Sequence, residues 1–143
     1  MKKTKKDFIN LIDKDNKEIE IALPELDADG YYNISNLKLK GKLITNVENL
    51  KCEFNELSEI IGKNLKYLYA NYNLLTKVTI PKCIYAELEN NKLTNIKGSN
   101  LEYLFVRKNE MLNICLKNVK YLNIGENFKL RKLNVPKIER LTC

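Results

Sequence analysis

A frame of eighteen residues recurs along this chain and limits its fold more than any other feature of the sequence. The frame is L-x-x-L-x-L-x-x-N-x-L-x-x-I, in which positions 1, 4, 6, 11 and 14 are apolar and position 9 is asparagine. Five consecutive copies begin at Val47, Leu65, Cys83, Leu101 and Val119. Such a repeat predicts a stack of coils, each of which buries its apolar residues only against its neighbours.

The frame resembles the leucine-rich repeat, L-x-x-L-x-L-x-x-N/C-x-L, over residues 47–143. The resemblance implies a right-handed solenoid with one parallel strand per coil on a concave face. It also implies a role in binding another macromolecule. Coils in that family usually have roughly 20 to 29 residues. The shorter coil leaves about seven residues for the return, too few for a helix, so we expect extended or 3₁₀ returns. The expected fold class is therefore a β-rich form of the α/β-type leucine-rich-repeat solenoid, most similar to short bacterial repeat proteins, including some secreted effectors.

Residues 1–46 depart from the frame and are expected to form an N-terminal capping region. Its first segment, residues 5–13, fits either a short helix or one arm of a hairpin, whereas residues 18–23 alternate strictly and predict a strand. Ile34, Leu37 and Leu39 imitate positions 1, 4 and 6, which predicts a degenerate first coil that turns at Gly41.

Residues 47–143 are expected to form the solenoid, with five full coils and a terminal strand. In the fifth copy one extra residue delays the later apolar pair to Leu130 and Leu133. The terminal strand contains Ile138, Leu141 and Cys143 and has no polar cap. We expect a second copy or a partner to cover this edge, or the chain to be a piece of a longer protein; a last strand that frays and is tolerated is the remaining alternative.

Asparagine occupies position 9 in all five copies, where the chain turns out of the strand. The five residues are Asn55, Asn73, Asn91, Asn109 and Asn127. An asparagine side chain can both donate to and accept from turn backbone groups, so this ladder is predicted to be structural. Pro81 and Pro136 fall in the returns, where a missing N–H favours an extended chain over a helix.

The charge pattern argues against nucleic acid as a partner. The net charge is +7, but the predicted strand face is close to neutral and the surplus lies in returns, loops and residues 1–6. A nucleic-acid groove needs its cations where the phosphates lie.

No apolar run reaches the roughly 18 residues of a membrane span, and the start lacks a signal-peptide core, so we expect a cytoplasmic protein that does not contact a membrane. A secreted effector that lacks a classical signal peptide is the alternative.

The residues that could carry metal or redox chemistry do not have the spacing for it. The four cysteines form no C-x-x-C pair and are expected to be reduced and mostly buried: Cys52, Cys83 and Cys143 at inward positions, and Cys115 beside Ile114. Aspartates at 13, 15, 27 and 29 are expected in turns, because no glutamate closes a twelve-residue calcium loop. No metal and no cofactor are predicted.

The outward positions of the strands carry the candidate binding surface. In parallel strands equivalent positions form columns spaced about 4.8 Å apart. The column at position 3 holds four consecutive tyrosines, and positions 5, 7 and 8 add further aromatic and charged residues. The candidate partner-binding residues are Tyr67, Tyr69, Tyr72, Tyr85, Glu87, Tyr103, Phe105, Arg107 and Tyr121. Glu89 is expected to form a solvated ion pair with Arg107.

The tyrosine column has a structural and a functional interpretation, which are compatible. Stacked aromatic rings can hold neighbouring coils in register, at roughly 0.2 to 1 kcal/mol per pair. Tyrosine also supplies rigid contact area and is frequent in binding hot spots. The predicted function is a non-catalytic module that binds an unidentified protein or peptide through this surface.

Three other functions compete with that prediction. An enzyme is not expected, because the chain has no histidine and three serines, and an open strand face rarely excludes water. Glu87 and Glu89 are the one carboxylate pair that could hydrolyse a sugar. The uncapped terminal strand could instead pair with a second copy to form a homodimer. A carbohydrate-binding surface is the third alternative, which the absence of tryptophan weakens.

Overall fold

A computed structural model describes residues 7–98 and 100–143, which fold into a β-solenoid of about six coils. The described residues form fifteen strands. In chain order these are β1 (Phe8–Ile12), β2 (Glu18–Ala22), β3 (Tyr32–Asn33), β4 (Lys40–Thr45), β5 (Asn49–Lys51), β6 (Glu56–Gly62), β7 (Tyr67–Tyr69), β8 (Lys77–Thr79), β9 (Tyr85–Glu87), β10 (Asn95–Gly98), β11 (Tyr103–Phe105), β12 (Asn113–Leu116), β13 (Asn118–Asn123), β14 (Lys132–Asn134) and β15 (Lys137–Thr142). Across these residues we find no helix with the length and apolar character needed to cross a bilayer.

The front sheet contains one strand from each coil and the terminal strand β15. Its seven strands lie in the order β3-β5-β7-β9-β11-β13-β15, and all neighbours are parallel. Leu68 of β7 lies opposite Ala86 of β9, and Ala86 lies opposite Leu104 of β11. Residues eighteen positions apart are therefore neighbours, as the frame predicts.

The returning limbs of the coils are also strands. β4, β6 and β8 pair in parallel, as do β10, β12 and β14. The sequence predicts one strand per coil and an extended or 3₁₀ return; the returns are extended, and they add a second strand. The reason is that extended returns stacked coil over coil place their N–H and C=O groups opposite each other, where they satisfy one another.

The core is a stack of aliphatic side chains between the front and back strands. In the coil that begins at Leu65, the residues at positions 1, 4, 6, 11 and 16 are buried, whereas Val78 at position 14 is half-buried. The same positions are filled in neighbouring coils, so one continuous core runs along the solenoid. Each coil thus depends on its neighbours for burial.

The cysteines are free, but only two of the four are buried. Cys52 and Cys83 lie in the core, as predicted, whereas Cys115 and Cys143 are exposed. The expectation that the cysteines are mostly buried is wrong for Cys115 and Cys143. Cys143 directly follows the terminal strand β15, whose apolar layer the sequence predicts to be uncapped. Within the described residues no further coil packs on that layer, and Leu141 beside it is also exposed.

The asparagine at position 9 is structural, as predicted. Asn91 donates to the carbonyl oxygens of Ala70, Leu88 and Glu89 at 3.0, 3.1 and 3.2 Å. Its side-chain oxygen accepts from the N–H of Leu75 at 3.0 Å. Equivalent bonds recur in the other four copies. Each asparagine is buried and links the turns of two neighbouring coils.

From residue 7 onward, where the structure describes the chain, the N-terminal region forms a hairpin. Of the two alternatives for residues 5–13, a short helix or one arm of a hairpin, the described residues adopt the second. β1 pairs antiparallel with β2 and with β4 of the back sheet. β2 confirms the strand predicted for residues 18–23. Asp13 and Asp27 form turns, since each carboxylate accepts backbone N–H groups two and four residues later.

The first coil has a different register from the one predicted. Tyr32 lies opposite Leu50 at position 4, so Ile34 stands at position 6 and not at position 1. Leu37, predicted to be inward, is exposed. Gly41 is not the turn but lies within β4, at a register shift, with φ of 89°. A Cβ there would overlap the backbone of Ile12 in β1, so glycine is required where the hairpin meets the back sheet.

The turn after each front strand has the same backbone conformation. Position 8 has a φ between 53° and 59° in six successive coils: Asn36, Phe54, Tyr72, Asn90, Lys108 and Glu126. This left-handed region costs roughly 1 to 2 kcal/mol for most residues, and among residues other than glycine asparagine tolerates it best. The occurrence of the same φ at Asn36 marks the first turn, which apolar spacing alone does not reveal.

The extra residue predicted in the fifth copy is present. Ile114 of β12 lies opposite Leu133 of β14, one residue beyond the eighteen-residue spacing. Phe128 lies in the lengthened segment with 91% of its surface exposed. The insertion is therefore accommodated outside the core.

Candidate interaction surface

The front sheet aligns the four tyrosines at position 3. Tyr85 lies opposite Tyr67 on one side and Tyr103 on the other, and Tyr103 lies opposite Tyr121. Because side chains alternate along a strand, these tyrosines face outward when the central residue of each strand, such as Leu68 or Leu104, faces the core. The predicted column is confirmed.

Seven aromatic rings form one continuous surface on the front sheet, which we call the aromatic strip. It consists of Tyr31, Tyr67, Tyr69, Tyr85, Tyr103, Phe105 and Tyr121. Tyr85 is its centre, since its ring centroid lies 6.5, 5.4, 6.0 and 5.6 Å from those of Tyr67, Tyr69, Tyr103 and Phe105. Phe105 continues the strip to Tyr121 at 5.0 Å. These spacings are typical of favourable aromatic pairs.

Tyr31 belongs to the strip but is absent from the sequence-based prediction. Its ring lies 6.5 Å from Tyr67 and 5.5 Å from Tyr69, edge-on to both. Burial raises the pKa of Tyr31 to about 12, and the neighbouring Tyr69 adds to the shift. Tyr31 stands eighteen residues before Asn49, so a frame extended backwards by one coil would have placed it at position 3.

Tyr72 lies outside the strip. Its ring stacks on Phe54, with centroids 4.7 Å apart and an interplanar angle of 7°. Both residues occupy position 8 and are about half exposed. The front surface therefore carries a second, separate aromatic pair, formed where the chain leaves strands β5 and β7.

Three glutamates are hydrogen-bonded to Asn71, which lies close to the central ring Tyr85; we call Glu53, Glu87 and Glu89 the acidic centre. The two side-chain N–H bonds of Asn71 go to Glu53 and Glu87 at 2.9 and 2.8 Å. The hydroxyl of Tyr85 donates to Glu87 at 2.5 Å. Glu87 is thus held in place by neutral donors. The pKa of Tyr85 lies far above its usual range, because of burial first and the Glu87 carboxylate second.

The acidic centre has no cationic partner of its own in the described part of the chain. The predicted pair between Glu89 and Arg107 is wrong, since Arg107 forms its ion pair with Glu126. Arg107 can reach a carboxylate in the coil on either side of it, Glu89 or Glu126. It pairs with Glu126, which is the more exposed of the two. Among residues 7–98 and 100–143, no lysine or arginine nitrogen lies within 4.0 Å of the three carboxylates. Burial raises the pKa of Glu89, an effect that Arg107 opposes only in part.

Cations of the chain itself lie over three rings of the strip. Lys51 is 4.7 Å from the ring centre of Tyr31, Lys120 is 6.0 Å from that of Tyr103, and Arg140 is 5.3 Å from that of Tyr121. Lys51 and Lys120 also pair with carboxylates, at 2.8 Å to Asp27 and 2.7 Å to Glu102. The positive charge beside the strip is therefore largely neutralised.

The strip is an open surface, with Tyr67 and Tyr103 more than a third exposed. Small-molecule sites are usually concave and bury most of their ligand, so an open strip is better suited to a macromolecule. The described residues include no group of three or more cysteine, aspartate or glutamate side chains placed to hold a metal ion.

Comparisons with known protein families, curated proteins and solved structures found no significant match. The structure brings seven of the nine sequence-predicted residues together: Tyr67, Tyr69, Tyr85, Glu87, Tyr103, Phe105 and Tyr121. Arg107 lies on the same face but is engaged by Glu126, and Tyr72 is paired with Phe54.

Proposed function

We propose that the chain is a leucine-rich repeat protein with eighteen-residue coils, and that it binds a partner protein through the aromatic strip without catalysing a reaction. The observation that carries this proposal is the set of four ring contacts around Tyr85 on an open sheet. The asparagine ladder at the position where leucine-rich repeats carry N or C supports the family assignment.

The strip exceeds what the fold needs to keep its coils in register. Main-chain pairing in the front and back sheets already fixes the register, and each position-9 asparagine ties two coils together. Rings that remain partly exposed on the outer face add little to the core. Tyrosines that are rigid and partly exposed are, by contrast, frequent at the centres of protein interfaces.

The strip is also preorganised for binding. The strands that carry Tyr67, Tyr85 and Tyr103 have fully buried central residues and are paired on both sides. Little conformational freedom is then lost when a partner binds, which favours affinity. We place this binding in the cytoplasm, where the free thiols of Cys115 and Cys143 would stay reduced.

Replacement of both Tyr85 and Tyr103 by alanine tests the proposal. We expect the double variant to lose the proteins that wild type captures from lysate, because the central contact area is removed, while circular dichroism and thermal unfolding show that it still folds. Phe128→Ala is the matched control, since Phe128 is an exposed ring far along the chain in the lengthened turn. Unchanged capture by the double variant would refute the proposal.

Self-assembly through strand β15 is a second candidate function. In the described residues β15 pairs only with β13, and Leu133 and Leu141 are 38% and 41% exposed. Unpaired strand edges with apolar residues can template pairing with another chain. Light scattering over a wide concentration range tests this alternative: a dimer that Leu141→Lys disrupts would support it, and a monomer at every concentration would exclude it.

A further inference from the structure

Cations of the chain lie over part of the strip. Lysine or arginine lies over the rings of Tyr31, Tyr103 and Tyr121. In the portion of the chain that the structure describes, no such cation lies over Tyr67, nor over the three rings of Tyr69, Tyr85 and Phe105. These three rings are the ones that surround Glu87: Tyr69 and Phe105 stand one strand to either side of it, and Tyr85 donates its hydroxyl to it.

The same place combines negative charge with aromatic surface. The side chains of Glu53 and Glu87 accept hydrogen bonds from neutral donors only. Arg107 and Lys108 act on Glu89 from a distance without pairing with it, and the whole chain has a net charge of +7. A partly buried carboxylate that lacks a paired cation loses part of its hydration without a compensating charge. A positively charged side chain would satisfy the carboxylates and rest against the rings at the same time.

We infer that the partner presents a lysine or arginine side chain, within an extended peptide segment, to the acidic centre between Tyr69 and Phe105. This inference rests on the proposed function and names the chemistry that the strip recognises. The charge and the rings both favour a cation and would repel a phosphate backbone.

The dimensions of the strip fit an extended peptide segment. From Tyr31 to Tyr121 it crosses five strand spacings, or about 24 Å at ~4.8 Å each. An extended peptide of about seven residues covers that length. The acidic centre lies near the middle of this span, so a single basic residue there would be flanked on both sides by residues that contact tyrosine.

Selection from a random twelve-residue peptide library tests the inference. We expect wild-type protein to enrich peptides with lysine or arginine at one fixed place. A Glu87→Gln/Glu89→Gln double variant should bind the enriched peptides at least about tenfold more weakly by fluorescence anisotropy, because the ion pair is lost. Glu20→Gln/Glu25→Gln is the matched control: it removes the same charge from exposed positions outside the strip and should leave affinity unchanged.

The remaining outcomes separate this inference from the proposed function. Enriched peptides that need Tyr85 but show no preference for basic residues would overturn the inference and leave the proposed function standing. If no peptide binds wild type better than the Tyr85→Ala/Phe105→Ala variant, both are overturned. A dimer that the Glu87→Gln/Glu89→Gln variant loses would assign the site to a second copy of the chain and overturn the inference of a partner protein.

Discussion

The side-chain oxygen of Asn91 accepts a hydrogen bond from the backbone N–H of Leu75, which belongs to the preceding coil, at 3.0 Å. The amide nitrogen of the same side chain donates to Ala70 in that coil and to Leu88 in its own. One buried side chain therefore serves backbone groups of two coils. This arrangement makes the turn of one coil depend on the presence of the next.

Replacement of Asn91 by alanine is expected to lower the free energy of unfolding by about 2–4 kcal/mol. The substitution leaves the buried N–H of Leu75 and several carbonyl oxygens without partners, and each unsatisfied group costs about 1–3 kcal/mol. Urea denaturation measures the change. Asn113→Ala, at an exposed position of β12, is the control and should stay within about 0.5 kcal/mol of wild type; an equally small effect at Asn91 would show that the ladder is dispensable.

Alanine at Gly41 is expected to destabilise the chain more than alanine at Gly30. Both glycines have a positive φ, 89° and 83°, so both substitutions introduce about 1 kcal/mol of backbone strain. Only at Gly41 would the new methyl group overlap the backbone of Ile12, whereas the space at Gly30 is open. We expect a further loss of about 1–3 kcal/mol and faster proteolysis of the N-terminal hairpin.

Thermal unfolding and limited proteolysis of the two variants give the comparison. Equal losses at Gly30 and Gly41 would contradict the close contact between β1 and β4.

Thiol labelling is expected to divide the four cysteines into two pairs. Cys115 and Cys143 are exposed, and Cys52 and Cys83 are buried. Burial raises the pKa of the Cys83 thiol to about 12 and raises that of Cys52 as well, which disfavours the reactive thiolate. Mass spectrometry after alkylation should find two labels on the native chain and four in urea. Labelling of Cys52 under native conditions would be inconsistent with the stacked core.

Glutamine at position 89 is expected to stabilise the chain at neutral pH. Burial raises the pKa of Glu89 above 4.5, so the folded chain holds this proton more tightly than the unfolded chain. The ionised carboxylate therefore reduces stability above its folded pKa, and this cost disappears below about pH 4.5. Glu89→Gln should raise Tm slightly at pH 7 and leave Tm unchanged at pH 3, because solvent screens this partly exposed site.

Calorimetry of the Glu89→Gln variant at both pH values, beside Glu25→Gln at an exposed site, measures this difference. A variant that is less stable than wild type at pH 7 would mean that Glu89 already has an effective cationic partner.

The repeat determines much of this structure because an eighteen-residue spacing fixes which side chains become neighbours. The tyrosine column and the role of Asn91 follow from that spacing alone. The register of the first coil does not, because Ile34, Leu37 and Leu39 repeat the apolar spacing without occupying the equivalent positions. What identifies the true register is the backbone at Asn36, a conformational property that apolar identities do not encode.

Side-chain partnerships were the least predictable part of the site. Arg107 could reach a carboxylate in the coil before it or in the coil after it, and the frame does not distinguish Glu89 from Glu126. Tyr31 lies outside the predicted surface for a simpler reason: the regular frame begins at Val47, although the outward columns continue one coil further towards the N-terminus. The sequence also does not decide whether β1 is a helix or a strand, because residues 8–12 fit both a helical and an alternating pattern.

The hydrogen bonds of Asn91 and its equivalents imply that the chain tolerates changes in length that add or remove a whole coil. Excision of a complete eighteen-residue segment would bring together two coils whose donors and acceptors match. The asparagine ladder of the shortened molecule would then be complete. Loss of a single residue within a front strand would instead break the spacing between the asparagine of that coil and the groups that it serves in the coil before. Evolution of such a chain should therefore proceed by whole-coil duplication and loss, with odd residues admitted only in outer turns such as the one around Phe128.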